Sequence, residues 1–155
     1  FSSLGTKNSQ RSCSNSWFLP PLSLFSLSLP LSPLVPTMSR LDTSFIKIVD
    51  TNAAFAAEVL GERGALVVVD VHAAAWGPCL PMQKYLYDLL CDLGDEHKNL
   101  KVVQAAADGI SALREYRDTS KPHFLFYLDG NLKASVKSPQ LPAIRAHAFK
   151  LAPSA

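Results

Sequence analysis

A chain of 155 residues has room for one ordinary domain with a real hydrophobic core and no second catalytic domain beside it. Fifteen Lys and Arg against thirteen Asp and Glu leave a formal net charge of +2, which gives no electrostatic case for nucleic acid, an acidic polymer or a charged membrane surface. At 48% hydrophobic and 18% charged residues the chain can fold, and three cysteines without regular spacing argue for a reducing compartment rather than a secreted disulfide framework.

Residues 1–37 differ from the rest. They hold ten Ser and five Pro, only Lys7 and Arg11 as basic residues, and no Asp or Glu. The stretch from Trp17 to Val35 is apolar, but Pro20, Pro21, Pro30 and Pro33 interrupt it, and a spanning helix needs about 20 residues with few such breaks. No transmembrane helix is expected there. The segment reads as a disordered Ser/Pro-rich leader, either a targeting peptide, since organellar transit peptides are Ser-rich and acid-poor, or a stretch foreign to the natural protein with Met38 as the start. From 38 to 155 the basic and acidic residues balance at 13 each, and this part is expected to be the domain.

Along the domain, Ile46 to Val49 is a short apolar strand candidate, and Asn52 to Glu62 places Phe55, Val59 and Leu60 on one helical face. Thr51 or Asn52 can cap that helix, and Gly61 or Gly64 can end it. Ala65 to Val71 is a continuous β-branched run without polar alternation, the pattern of a strand buried on both faces. Met82, Leu86, Leu89, Leu90 and Leu93 then recur at helical spacing up to Gly94, followed by a weaker strand over 101–106 and a short helix carrying Ile110, Leu113 and Tyr116. His123 to Leu128 and Asn131 to Val136 flank Asp129-Gly130, a strong hairpin signal, and a last helix has Leu141, Ile144, Ala148 and Leu151 on one stripe. The order β-α-β-α-β-α-β-β-α predicts an α/β fold, a mixed central sheet with helices on both faces.

Between the central strand and its helix lies Val69-Asp70-Val71-His72-Ala73-Ala74-Ala75-Trp76-Gly77-Pro78-Cys79. Together with Lys121-Pro122 ahead of the Asp-Gly hairpin and the element order, this motif resembles the thioredoxin-like family over about residues 45–151. The family's active motif is Trp-Cys-Gly-Pro-Cys. Laying its Gly-Pro-Cys on Gly77-Pro78-Cys79 puts Trp76 where the attacking cysteine belongs. Thiol–disulfide exchange needs that attacking thiolate and a second thiol to resolve the mixed disulfide. Cys91 cannot substitute, because twelve residues of helix separate it from Cys79 by roughly 18 Å.

Cys79 matches the family's resolving position. It reads either as a reactive thiol, since a helix N-terminus stabilises a thiolate, or as a small buried apolar residue. By the same resemblance Asp70 matches a buried carboxylate that assists proton transfer at the resolving thiol, and it would need a hydrogen-bond partner if buried; otherwise it simply ends the strand near water. Pro122 matches the family's cis-proline beside the peptide groove. Gly77 and Pro78 suit a turn and a first helical turn with or without chemistry. His72, His97, His123 and His147 are scattered, with no zinc spacing, and no phosphate loop or paired-carboxylate motif occurs, so neither metal nor cofactor is expected.

Within the family the sequence is most similar to the ciliary branch, the thioredoxin-type light chains of axonemal outer-arm dynein. Val68 to His72, Gln104 to Asp108, Glu115 to Asp118 and Ser120-Lys121-Pro122 running into Phe124 to Tyr127 carry that likeness. Those light chains keep Cys-Gly-Pro-Cys, so their redox activity does not transfer. The resemblance implies a non-redox interaction subunit in the cytoplasm, at the axoneme of a cilium or flagellum, with a protein partner such as dynein heavy chain or another axonemal subunit. Its binding surface would be Trp76, Gly77, Pro78, Lys121 and Pro122. The alternative is a monothiol redox protein forming mixed disulfides through Cys79.

Overall fold

The computed structural model describes residues 43–93 and 99–153; the leader and Gly94 lie outside the described residues. Five described strands, β1 (Ile46–Val49), β2 (Leu66–His72), β3 (Leu100–Ala106), β4 (His123–Leu128) and β5 (Asn131–Lys137), form one mixed sheet in the order β1-β3-β2-β4-β5. The first three run parallel, and β4 pairs antiparallel with β2 and with β5. Parallel neighbours require crossovers, supplied by α1 (Asn52–Phe55) with the turn after it and by α2 (Leu80–Leu93). The last helix, α3 (Leu141–Leu151), follows β5.

The unbroken apolar run of β2 places it centrally. Its first six residues are all buried. Period-two alternation sends Val67, Val69 and Val71 into one core with Phe55, Val59, Ile110, Leu113 and Leu125, while Leu66 and Val68 enter a second core with Leu86, Leu89, Phe124, Phe126 and Ile144. Met82, Leu86, Leu89 and Leu93 are the buried stripe of α2, and Ile144 and Ala148 that of α3. Asp70 shares the parity of Leu66 and Val68 and so belongs to the α2 side of the sheet.

Local chemistry sets the ends. Thr51 caps α1 by accepting from the Ala54 amide at 3.2 Å, whereas Asn52 turns away and accepts from both the amide and the hydroxyl of Ser111 at 2.8 Å. Asp129 (φ 53°) and Gly130 (φ 75°) both have positive φ, as a two-residue primed hairpin turn requires, and Leu128 faces Asn131 across it. β1 forms one edge of the sheet, with Ile48 77% exposed and Lys47 paired to Glu58 at 3.0 Å. No described helix is long and apolar enough to cross a membrane.

Two elements differ from their sequence pattern. The single helix expected over 52–62 is α-helical only to Phe55 and then widens into a π-helical turn over Ala56–Leu60, closed by the Gly61 amide on the Ala56 carbonyl at 2.7 Å. Phe55 and Val59 are four residues apart and stay on the buried side in either geometry, so periodicity could not separate the two. The helix expected around Ile110, Leu113 and Tyr116 consists of two 3-10 segments, Ala107–Gly109 and Ser111–Tyr116. Its spacing of three is the repeat of that tighter helix.

Gly109 sits where the first of these segments crosses the end of β1: a Cβ there would lie 2.0 Å from the backbone carbonyl oxygen of Asp50. Backbone cannot yield as a flexible side chain does. Gly109→Ala should therefore destabilise the fold by about 3 kcal/mol, read as a lowered denaturant midpoint with an unchanged slope; a midpoint equal to that of the wild type would show that the crossing relaxes freely.

Candidate functional site

The site lies where β2 ends. Beyond His72 the chain turns through Ala73–Gly77, with the Trp76 and Gly77 amides donating to the Ala73 carbonyl at 3.0 and 3.1 Å. Gly77 has φ +69°, a left-handed conformation that lets the chain leave this turn, and Pro78 then leads into α2. The Cys79 carbonyl accepts from the Met82 amide at 3.0 Å, so Cys79 stands immediately ahead of the first helical residue. The Asp108 carboxylate, in the 3-10 segment that follows β3, accepts from the Ala74 amide at 2.6 Å and ties the loop to that segment.

Opposite this loop runs Thr119–Pro122. The Thr119 hydroxyl donates to the Tyr116 carbonyl at 2.8 Å, and the Pro122 carbonyl accepts from the Ser138 amide at 2.9 Å. Between the two walls is a cleft of about 220 Å³. All five residues expected to form a binding surface, Trp76, Gly77, Pro78, Lys121 and Pro122, line it together with Cys79. Asp70 does not. It lies beneath the cleft with no exposed surface.

The side chains divide into a dry floor and an open lip. Cys79 is half-buried and packs against the core that α2 covers, and among the described residues it is the free cysteine. Trp76 projects outward, 71% exposed, and Leu80 and Pro81 beside it are also exposed. A large apolar ring held in water at the mouth of a cleft is the kind of group that buries profitably against another surface. Among the described residues no group of three or more His, Cys, Asp or Glu could hold a metal.

Asp70 settles the choice left open by its sequence position, since it is buried rather than at a wet strand end. Gln104, its register neighbour on β3, donates to Oδ2 at 3.4 Å, a long contact, and Oδ1 closes no hydrogen bond among the described residues. Burial pushes the carboxyl up to about 6, against smaller opposing effects from Gln104 and the Cys79 backbone. His72, on the same side of the strand and lining the cleft, is held below its ordinary value by burial, with the Asp70 backbone and the Asp108 carboxylate opposing.

The isomer of the bond before Pro122, which the sequence leaves open, is trans, as is every described peptide bond. Trans is the lower-energy isomer of an X–Pro bond by about 0.5–1 kcal/mol, so a cis bond persists only where the surroundings impose it. Pro122 nevertheless lines the cleft. Sequence reasoning passed over His72, Thr119 and Ser120 as lining residues and Asp108 as the loop's tether. The parity of β2 offered a signal for His72, which falls two residues after Asp70 on the same face.

A raised carboxyl pKa means that the unfolded chain ionises first as pH rises, so burial of Asp70 costs stability progressively between about pH 4 and pH 6. Asp70→Asn, which keeps the shape without the titration, should be level with the wild type near pH 4 and more stable by about 3 kcal/mol at pH 7, as measured by urea unfolding across that range. A stability difference that does not change with pH would show that the carboxyl ionises as freely in the fold as outside it.

No family model matches the chain. It is 36% identical over 104 residues to the 14 kDa light chain of the flagellar outer dynein arm of Chlamydomonas reinhardtii, an alignment covering 65% of this chain and 79% of that one. The thioredoxin domain-containing protein 3 homolog of Ciona intestinalis is 36% identical over 94 residues, which cover 61% of this chain but 14% of the relative. Mouse thioredoxin domain-containing protein 6 is 39% identical over 80 residues, covering 52% and 23% respectively. The chain thus spans less than a quarter of these last two relatives. Among solved structures, Fasciola hepatica thioredoxin superposes with a TM-score of 0.54 at 20% identity, over 68% of this chain and 98% of that one. Mitochondrial thioredoxin 3 of Saccharomyces cerevisiae does so at 0.54 and 22%, over 70% and 98%. These structural likenesses show the fold alone.

Proposed function

Because this chain belongs to the thioredoxin-like family and carries a tryptophan where the family's motif has its attacking cysteine, we propose that it is a redox-degenerate interaction subunit, docked in a dynein complex of the axonemal outer-arm type. One observation carries the reading: Trp76 is 71% exposed at the mouth of the cleft. Exchange chemistry needs a thiolate at that position, and an indole cannot supply one. What an exposed indole does supply is a large, rigid contact area at low conformational cost, the property of an interface anchor.

On this reading the partner is a protein segment that covers Trp76 and reaches the cleft between Gly77-Pro78 and Lys121-Pro122. Cys79 and Asp70 are then remnants of the ancestral redox site. The half-buried Cys79 thiol packs against the core as a small apolar side chain would. The likeness to a flagellar outer-arm light chain over most of that chain's length supports a place in the axoneme of a cilium or flagellum and dynein subunits as partners.

The test is capture of partners from isolated axonemes with the full chain, comparing wild type, Trp76→Ala and Cys79→Ser, each eluted with and without reductant. Trp76→Ala should weaken docking by roughly 2 kcal/mol or more, about a thirtyfold loss of affinity. Cys79→Ser should retain the same partners whether or not reductant is present. Partners held only through Cys79 and released by reductant would establish the monothiol redox function instead, and a chain absent from axonemes would sink the structural role.

A further inference from the structure

The two walls of the cleft ask for different things. At about 220 Å³ the space falls below the roughly 300–1,000 Å³ of small-molecule sites, and it suits a few side chains of an extended segment lying across it. In an extended chain successive side chains point to opposite sides, so neighbouring residues of such a segment reach opposite walls.

The wall Trp76-Gly77-Pro78 is apolar, with Trp76 71% exposed and the 66% exposed Leu80 just beyond it. The opposite wall is rich in unused donors. Ser120 and Lys121 are exposed, and their amides, the Ser120 hydroxyl and the Lys121 ammonium give no hydrogen bond to a described residue. Carbonyls on that wall are taken: that of Lys121 accepts from the Thr119 hydroxyl at 3.4 Å, and that of Pro122 from the Ser138 amide at 2.9 Å. Such a wall is complementary to an acceptor.

Charge points the same way. Among the residues lining the cleft Lys121 carries the full charge at pH 7, since burial holds His72 below its ordinary value, and it makes no ion pair among the described residues. The nearby acids do not offset it: the Asp108 carboxylate holds the Ala74 amide, Asp70 is sealed beneath the floor, and Asp118 does not line the cleft. A cationic segment would meet Lys121 with nothing to relieve the repulsion, whereas a carboxylate pairs with the ammonium and takes up the idle donors beside it.

We propose that the partner segment docked in this cleft is acidic beside apolar: an Asp or Glu side chain seats on the Ser120-Lys121 wall while its apolar neighbour packs against Trp76 and Pro78. The inference rests on the docking reading above and names the chemistry of its occupant. Trp76 is then the anchor of the surface and Lys121 its specificity-determining residue.

The experiment titrates synthetic peptides into the isotope-labelled full chain and follows the Ser120 and Lys121 amides and the Trp76 indole N–H by NMR. Two peptides with blocked ends, Ser-Leu-Glu-Leu-Ser and Ser-Leu-Lys-Leu-Ser, differ only in charge; a third, Ser-Leu-Ser-Leu, has its free C-terminus as sole carboxylate. The glutamate peptide should bind about tenfold more tightly than the lysine peptide, and its affinity should fall as salt is raised. Lys121 is exposed and pairs with no other charge, so its variants should fold: Lys121→Gln should level the two peptides, and Lys121→Glu should reverse their order. Trp76→Ala should weaken both alike. Equal affinities in the wild type, a preference for lysine, or no binding of either peptide overturns the proposal. Tighter binding of the free C-terminus than of the glutamate peptide also overturns it, making the occupant a chain end.

The docking reading and this one fail separately. Axonemal partners lost by Trp76→Ala but kept by Lys121→Glu leave the docking site standing and overturn its acidic occupant. Partners kept by Trp76→Ala sink the docking reading, and the order of the peptides still decides the chemistry of the cleft.

Discussion

The confinement of β2 between two neighbours and two cores is the constraint from which the rest of the molecule follows. A strand hydrogen-bonded along both edges and apolar on both faces can be satisfied only if other strands flank it and helical segments cover each side. Those coverings fix where the chain goes next: past His72 it must leave the sheet, turn and return as α2. The cleft lies at that departure, and the hairpin strand β4 on the other side of β2 delivers its second wall to the same end of the sheet.

Within so apolar a strand Asp70 is the exception, and its environment shows what the fold tolerates. The carboxyl has no exposed surface, and the long contact to Gln104 and the Cys79 backbone offset its burial only in part, so its charged form is poorly solvated and its neutral form is favoured well above the usual carboxylate range. Such a group is costly to bury, and the fold carries that cost at the centre of its sheet, directly beneath the loop that leads to Cys79.

The readability of the sequence followed the strength of its local signals. The β-branched run of β2, the positive-φ pair Asp129-Gly130 and the leucine stripe of α2 each name one structure, and each formed as expected. The stretch after Phe55 and the segment around Leu113 were legible as helical but not as π and 3-10, because a few residues on one face fit several helical repeats. At the site, Trp76 through Cys79 are contiguous and could be read as one unit. Lys121 and Pro122 are more than forty residues away, and only the family likeness joined them to it. The Asp108 tether to Ala74 was out of reach altogether, since a side chain accepting from a distant backbone amide leaves no periodic trace.

The sheet's two margins bear on how such a domain lives among many copies of itself. An open margin is a template on which a foreign strand can continue the hydrogen-bond ladder, and natural sheets blunt it with brevity and charge. Here one margin, β1, is four residues long and has the Lys47–Glu58 ion pair beside its exposed Ile48, while the other, β5, carries Lys133 and Lys137. Zipper-like self-pairing along either rim would crowd lysines together or run out of strand. Copies of this domain can therefore crowd together, and the cleft can be covered by another surface, without sheets fusing edge to edge.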